Sequence, residues 1–394
     1  MYLVLDFHEL LAMKFRTFVT LFLIFSVLPD LYLLLVAFPD LAAGWKALLC
    51  LPSLVALLCL VFIGTGVRYT DSVRAFSYVS FLLELPKFLF SLVVLCSASK
   101  GGPTPHTVGL GLGVAVAVLL VFLGMIFGSS RHVLVNRMEL AFPTLPPAFD
   151  GLTLCHLSDL HLGSFGQKAP YVRRVVDRVQ ELAPDLIVFT GDLVNFDPAE
   201  ADSYRDVLAQ LAAPLGVFSI RGNHDFLVYG CLKGEAREAA VERLLAFERQ
   251  LGWRVLLNEH VVLEKGGDAL ALVGVDNVSA NPFFNKMGGD LRKALEGLQA
   301  GIFKILLSHD PSHWRAEVLP QSDVDLTLSG HTHGLRFKLA GRKPSHWHLP
   351  ESVGLYTEKG RMLYVSEGLG SAFAFRLSGC PKIDLITLRR SEAS

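Results

Sequence analysis

Four long apolar runs, at about residues 17–38, 47–67, 76–97 and 108–128, dominate the front third of the chain. Each is about as long as the ~20 helical residues that cross a bilayer's hydrocarbon core, and soluble core helices rarely run so far without a charge. The last run, Val108 to Gly128, has no ionisable residue, and its Gly109, Gly111, Gly113, Ala115 and Ala117 permit close helix contact. Charge divides the chain at the same place. Residues 1–128 hold 13 of the 73 Asp, Glu, Lys and Arg (7 basic, 6 acidic), and residues 129–394 hold the other 60 (29 basic, 31 acidic). The front belongs in lipid and the rest in water. A net charge of −1 leaves no basic excess, so nucleic acid is set aside as a partner.

The short flanks of the runs carry Lys14, Arg16, Arg68, Arg74, Arg131 and Arg137 on one side against Lys46 and Lys100 on the other. By the positive-inside bias, the N-terminus and everything after residue 128 are expected in the cytoplasm. The first run is too long for the apolar core of a cleaved signal peptide, about 7–15 residues. An integral, multi-pass membrane protein is therefore expected. Within the runs stand Asp30, beside Pro29, and Glu84 and Lys87, around Pro86. Ionisable groups at membrane depth mark function by default. Three residues apart on a helix, Glu84 and Lys87 are expected instead to neutralise each other or to reach an interface. The six cysteines, Cys50, Cys59, Cys96, Cys155, Cys231 and Cys380, form no CxxC pair and indicate neither a disulfide framework nor a thiolate zinc site.

The expected organisation is a transmembrane region over 1–128, a connecting strand and linker over 129–150, and an α/β domain over 151–394. Alternating Val133, Val135, Met138, Leu140 and Phe142 predict a strand, followed by a turn at Pro143 to Pro147. Short apolar runs then alternate with helical patterns: strands at 152–157, 186–190 and 217–220, and helices near 169–183, 202–212 and 235–251. That is the rhythm of a sheet covered by helices. Strands at 254–257, 260–264, 270–275, 303–308, 324–329, 361–366 and 383–388 make the second half β-rich.

Five strands run into clusters of metal-ligand residue types: Asp159 and His161, Gly191-Asp192, Gly222-Asn223-His224-Asp225, His309, and Gly330-His331-Thr332-His333. Open α/β sheets gather their ligands at such strand ends. Two divalent ions ~3.5–4 Å apart need neutral imidazoles, hard oxygens and a carboxylate able to bridge them. Asp-x-His and His-x-His in extended or turning backbone put alternate side chains on one side. The glycines before Asp192, Asn223 and His331 allow sharp turns where a β-carbon would crowd the ions.

These motifs, DLH at 159–161, GD at 191–192, GNHD at 222–225, SHDP at 308–311 and GHTH at 330–333, resemble the signature of the calcineurin-like metallophosphoesterase superfamily. The resemblance covers about residues 152–388 and is closest to a membrane-anchored branch with N-terminal transmembrane helices. It implies a two-sheet αββα sandwich and two divalent metal ions, Mn, Fe or Zn. Asp159, His161, Asp192 and His333 would hold the first ion, and Asp192, Asn223, His309 and His331 the second, with Asp192 bridging. His224 would face the leaving oxygen, with Asp225 orienting it. Gly334-Leu335-Arg336, where the branch commonly has Gly-Gln, and Pro381-Lys382-Ile383, where it often has Pro-Glu-Ile, depart from the pattern without touching a ligand.

The expected activity is hydrolysis of a phosphate ester or pyrophosphate by in-line attack of a metal-bridging hydroxide, with His224 as proton donor. Arg336, Lys338, Arg342 and Lys343, with Phe337 and Trp347, are candidate substrate-binding residues suited to anionic headgroups; Phe283, Phe284, Phe373 and Phe375 offer apolar contact. A lipid-linked substrate in the bilayer is the working expectation. Two other readings stand beside it: a non-catalytic membrane sensor or scaffold that binds a phosphoryl ligand, and a transporter using Asp30, Glu84 and Lys87.

Overall fold

In a computed structural model, which describes residues 17, 20–97, 103–129, 133–166, 170–280, 287–333, 350–372 and 381–392, the apolar runs are helices. The chain divides into two compact units, Met1–Ile126 and Phe127–Ser394. The first contains α1 (Thr20–Ala37), α2 (Ala43–Thr65), α3 (Tyr69–Cys96) and α4 (Pro105–Phe127), each long and apolar enough to cross a membrane. Leu35, Leu54 and Leu120 are 61–69% exposed on their surface, which only an apolar surrounding would tolerate at this density.

Two of these helices widen beside a proline. In α1, π-helical turns at Leu23–Val27 and Leu33–Ala37 flank Pro29 and Asp30; in α3, another at Ser80–Glu84 precedes Pro86. A proline offers no amide and its ring crowds the carbonyl four residues back, so the wider turn relieves the conflict. The polar residues meet there. Lys87 Nζ lies 2.7 Å from Asp30 Oδ1, 2.6 Å from Ser53 Oγ and 3.0 Å from Glu84 Oε2. All four residues are buried. The expected Glu84–Lys87 pair exists, but it does not reach for an interface. It joins Asp30 and Ser53 to bind α1, α2 and α3 together.

The second unit holds twelve strands among the described residues, in two six-stranded sheets. One has the order β1 (Leu134–Phe142), β12 (Lys382–Arg390), β2 (Thr153–Leu157), β3 (Leu186–Phe189), β4 (Val217–Ser219) and β5 (Arg254–Val255). The other runs β10 (Gly354–Glu358), β11 (Arg361–Val365), β9 (Leu326–Ser329), β8 (Phe303–Leu307), β7 (Asp268–Gly274) and β6 (Glu259–Lys265). Strands β2, β3 and β4 are mutually parallel, as are β7, β8, β9 and β11. Parallel strands covered on both faces read as unbroken apolar runs, and every residue of β3 and β8 is buried.

The two sheets pack face to face through Leu154, Val188, Phe218 and Ile386 from one and Leu272, Phe303, Ile305 and Leu328 from the other. Helix α5 (Pro170–Leu182) lays Tyr171, Val172, Val175, Val176 and Val179 on the outer face of the first sheet, and α6 (Gly234–Gln250) adds Val241, Leu244 and Phe247. The outer face of the second sheet carries Leu291, Ala294, Trp314 and Val318. The result is the four-layer αββα sandwich. The alternating segment after the last apolar run is β1, paired along its whole length with β12.

Two local expectations fail. The helix expected near 202–212 is reduced to one α-turn, Arg205–Leu208, after 3-10 turns at Pro198–Glu200 and Asp202–Tyr204. The Glu200 carboxylate holds the preceding loop by accepting from the amides of Asn195 and Phe196. Strand β10 escaped notice because it is an edge strand whose residues are all at least partly exposed.

Buried Glu248 of α6 accepts a hydrogen bond from Ser219 Oγ at 2.5 Å. Burial, and after it the Asp225 charge, pushes its carboxyl from 4.5 up to about 8. The folded domain then holds this proton more tightly than the unfolded chain does. The associated stability is complete below about pH 4.5 and lost as pH rises through about 8. Glu248→Gln should flatten that loss and raise the melting temperature at pH 8 by at least about 2–4 °C, the shift 1 kcal/mol makes in a domain of this size. Parallel melting curves from pH 5 to 8 for both proteins would show that Glu248 holds no such proton.

Candidate metal centre

The strand ends named in the sequence come together. Parallel neighbours β2, β3 and β4 in one sheet and β8 and β9 in the other all finish at this site. The chain leaves them in left-handed conformation at Asp159 (φ 52°), His161 (φ 49°), Asp192 (φ 60°), His331 (φ 72°) and His333 (φ 51°). Non-glycine residues seldom take this region, and such strain concentrates at functional sites. Gly191 and Gly222 make the approach of β3 and β4 possible: a β-carbon on Gly222 would lie 2.2 Å from Asp192 Oδ1, and one on Gly191 2.3 Å from the Gly222 nitrogen.

One group comprises Asp159, His161, His333 and Asp192. His161 Nε2 is 3.2 Å from His333 Nε2, 3.5 Å from Asp192 Oδ2 and 4.0 Å from Asp159 Oδ1, and His333 Nε2 is 3.8 Å from the same Asp159 oxygen. The other comprises Asp192, Asn223, His309 and His331. His309 Nε2 is 3.2 Å from Asp192 Oδ2 and 3.1 Å from Asn223 Oδ1, which is 2.8 Å from His331 Nδ1. Asp192 Oδ2 belongs to both groups. Except for His331 and His333, which keep some exposure, these residues are buried.

The donor chemistry fits cations. His309 donates its Nδ1–H to the Thr190 carbonyl at 2.7 Å, so in a neutral ring Nε2 turns a lone pair towards two oxygens, on Asp192 and Asn223. Lone pairs converging in a buried site need a positive charge between them. The separations also suit shared ligation: bonds of about 2.1 Å put neighbouring ligand atoms about 3.0 Å apart in an octahedron and about 3.4 Å in a tetrahedron. Burial, and after it the imidazoles of His224, His333 and His309 working against the Asp192 carboxylate, hold His161 well below its ordinary value, in the neutral form a ligand requires. Burial would lower His309 and raise Asp192, yet their mutual attraction draws His309 up to about 10 and holds the Asp192 carboxyl well below the usual range. The positive charge this site calls for is a proton on His309 until a cation displaces it.

His224 stands beside the shared carboxylate, its ring edge-on to His161 at 4.8 Å between centroids. Its Nδ1 lies 2.8 Å from the carbonyl oxygen of Asn195, and its ring lies 4.4 Å from that of Tyr229. Asp225 does not orient this imidazole as the resemblance implied. Its carboxylate accepts from the amides of Asp192 (2.7 Å), Leu193 (2.9 Å) and Gly222 (2.9 Å), fixing the backbone that carries Asp192. Burial, then the Asp192 charge, pushes Asp225 up to about 7. Asn195, three residues past Asp192, and Tyr229, whose hydroxyl lies 3.0 Å from Asn223 Nδ2, had no motif to reveal them. Arg336, Lys338, Arg342, Lys343, Phe337 and Trp347, with Phe283, Phe284, Phe373 and Phe375, lie outside the described residues.

Residues 152–335 match the family model described as calcineurin-like phosphoesterase. The chain carries a calcineurin-like metallophosphoesterase domain. The metallophosphoesterase is a hydrolase acting on phosphoester bonds, in a family that uses divalent metals. It is 28% identical over 350 residues to a transmembrane protein with metallophosphoesterase domain from Danio rerio, covering 85% of this chain and 77% of that one. A Bos taurus protein of the same description is 31% identical over 257 residues, covering 62% of this chain and 54% of its own, so the match spans about half of that relative. UDP-2,3-diacylglucosamine pyrophosphatase LpxG of Chlamydia trachomatis is 26% identical over 301 residues, covering 64% of this chain and 88% of that one. With its four apolar helices, the metallophosphoesterase is a membrane protein.

Proposed function

We propose that the protein is a membrane-anchored phosphoesterase with two divalent ions, acting on a lipid-linked phosphate ester or pyrophosphate at the cytoplasmic face. Asp159, His161, Asp192 and His333 hold one ion, and Asp192, Asn223, His309 and His331 the other. The observation that carries this reading is the position of Asp192 Oδ2, within 3.5 Å of His161 Nε2 and 3.2 Å of His309 Nε2. When bound, two such ions polarise phosphoryl oxygens and bring the pKa of water towards neutrality.

The chain's own residues supply the rest. Asp225 fixes the loop that aims Asp192. The Asn195 carbonyl takes the Nδ1–H of His224, so Nε2 faces the leaving oxygen and donates to it only when the ring carries a second proton, a state that burial disfavours and the Asp192 charge favours. Tyr229 steadies the His224 ring and the Asn223 amide. The four spans and the acylated substrate named for the chlamydial relative support a lipid-borne substrate. The Lys and Arg asymmetry of the flanks supports the cytoplasmic side.

The test is turnover by the full chain in liposomes. An acylated sugar-nucleotide pyrophosphate or another lipid pyrophosphate presented in the membrane should be cut far faster than a water-soluble ester of the same bond type. Equal rates on both would remove the lipid from the proposal, and no turnover of any phosphoester with Mn²⁺, Fe²⁺ or Zn²⁺ would favour the sensor or scaffold instead.

A further inference from the structure

Among the described residues, two buried imidazoles, His156 and His313, take no part in either ligand group; His313 is held by Ser308 and Glu317. His156 of β2 is fully buried, opposite Asp384 of β12 and beside Tyr364 and Thr190, and a buried polar side chain needs a reason. Its Nε2 lies 2.8 Å from Thr190 Oγ1; Thr190 Oγ1 lies 2.8 Å from Ser158 Oγ; and Ser158 Oγ lies 2.6 Å from Asp159 Oδ2. The order of donors follows from counting protons. An ionised carboxylate can only accept, so the one hydroxyl proton of Ser158 goes to Asp159. The Thr190 contact then requires the Thr190 proton, and the His156 contact requires a proton on Nε2. His156 is thereby fixed as the Nε2–H tautomer, and its buried Nδ1 has no hydrogen-bond partner among the described residues. A second proton would be charged and desolvated, and burial accordingly pushes His156 down to about 4.

Thr190 has a second duty, because its carbonyl takes the Nδ1–H of His309. One residue at the end of β3 thus touches the supports of both ligand groups, by its hydroxyl on one side and its backbone on the other. The His331 amide lies 3.1 Å from both Asp159 oxygens, Oδ1 and Oδ2. The Ser158 hydroxyl alone distinguishes the two oxygens: it holds Oδ2, and Oδ1 faces His161 and His333 at 4.0 and 3.8 Å.

We propose that His156 is a positioning residue of the metal centre, which orients Asp159 through the Thr190 and Ser158 hydroxyls and so sets the affinity of one of the two ions. This rests on the proposed role of Asp159 as a ligand. Outer hydrogen-bond partners of metal ligands typically change affinity 10- to 100-fold when removed.

The experiment is Mn²⁺ binding by the full chain in detergent, in competition with a chelator, for the wild type and for Asp159→Asn, His156→Phe, His156→Gln and Thr190→Val. His156→Phe and Thr190→Val should each weaken one ion about 10- to 100-fold and leave the other, since Thr190→Val retains the carbonyl that serves His309. His156→Gln, whose amide N–H can replace Nε2–H, should return binding to near the wild-type value, a rescue that a packing role alone would not produce. Wild-type affinity for both ions in His156→Phe and Thr190→Val, or no rescue by His156→Gln, would overturn the relay. If instead the wild type held no ion, or Asp159→Asn lost none, the ligand assignment itself would fall and the relay with it.

Discussion

Replacing His224 by alanine should lower kcat by about 10²- to 10⁴-fold, the usual worth of a positioned acid or base, while both ions stay bound. The imidazole is hydrogen-bonded at Nδ1 to the Asn195 carbonyl and clusters with His161 and Asp192, but neither ion is assigned to it. Its removal should therefore leave metal content and the affinity for a product phosphate near wild type. Asp225→Ala is expected to behave differently. That carboxylate supports three backbone amides around Asp192, so its loss should release metal and lower the melting temperature together. Measuring metal content and kcat on the same preparations separates the two. Metal loss in His224→Ala with Asp225→Ala intact would reverse the roles assigned to them.

A comparably large effect is expected in the membrane unit. Lys87→Met would leave the Asp30 and Glu84 carboxylates buried in an apolar surrounding without their common partner, and only the Ser53 hydroxyl would still reach Glu84. Breaking a buried ion pair from one side typically costs about 3–5 kcal/mol, because the remaining charge has no compensation. The change is expected as loss of denaturation resistance in detergent and as low yield of folded protein. Asp30→Asn, Glu84→Gln and Lys87→Met combined should recover most of it, since no charge is then stranded. A single-variant loss below about 1 kcal/mol, the worth of an exposed pair, would mean that water reaches this cluster.

Much of the design was legible because two physical signals are strong in the sequence. Runs such as Val108 to Gly128 have no charge to hide, so lipid is their only comfortable solvent. The strand ends carry their ligand types in motifs with small gaps, DLH, GD, GNHD and GHTH, which survive without knowledge of the tertiary contacts. What escaped depends on contacts distant in the chain. Asp30 meets Lys87 across 57 positions, and no local pattern encodes that meeting. The Asn195 carbonyl is a backbone atom, so its identity as a residue says nothing of its duty to His224. His156 did leave a trace, a polar ring inside a mostly apolar strand, but its role requires knowing that Thr190, just past the neighbouring strand, faces it. The short turn at Arg205–Leu208 was hidden by residues that also fit a helical pattern.

Electron paramagnetic resonance of the Mn²⁺-loaded full chain tests most directly whether Asp192 joins two cations. Two Mn²⁺ per chain, about 3.5–4 Å apart and coupled to each other, are predicted for the wild type, with the coupling abolished in Asp192→Asn. A single uncoupled Mn²⁺ per chain, or a coupled pair that persists in Asp192→Asn, would contradict it.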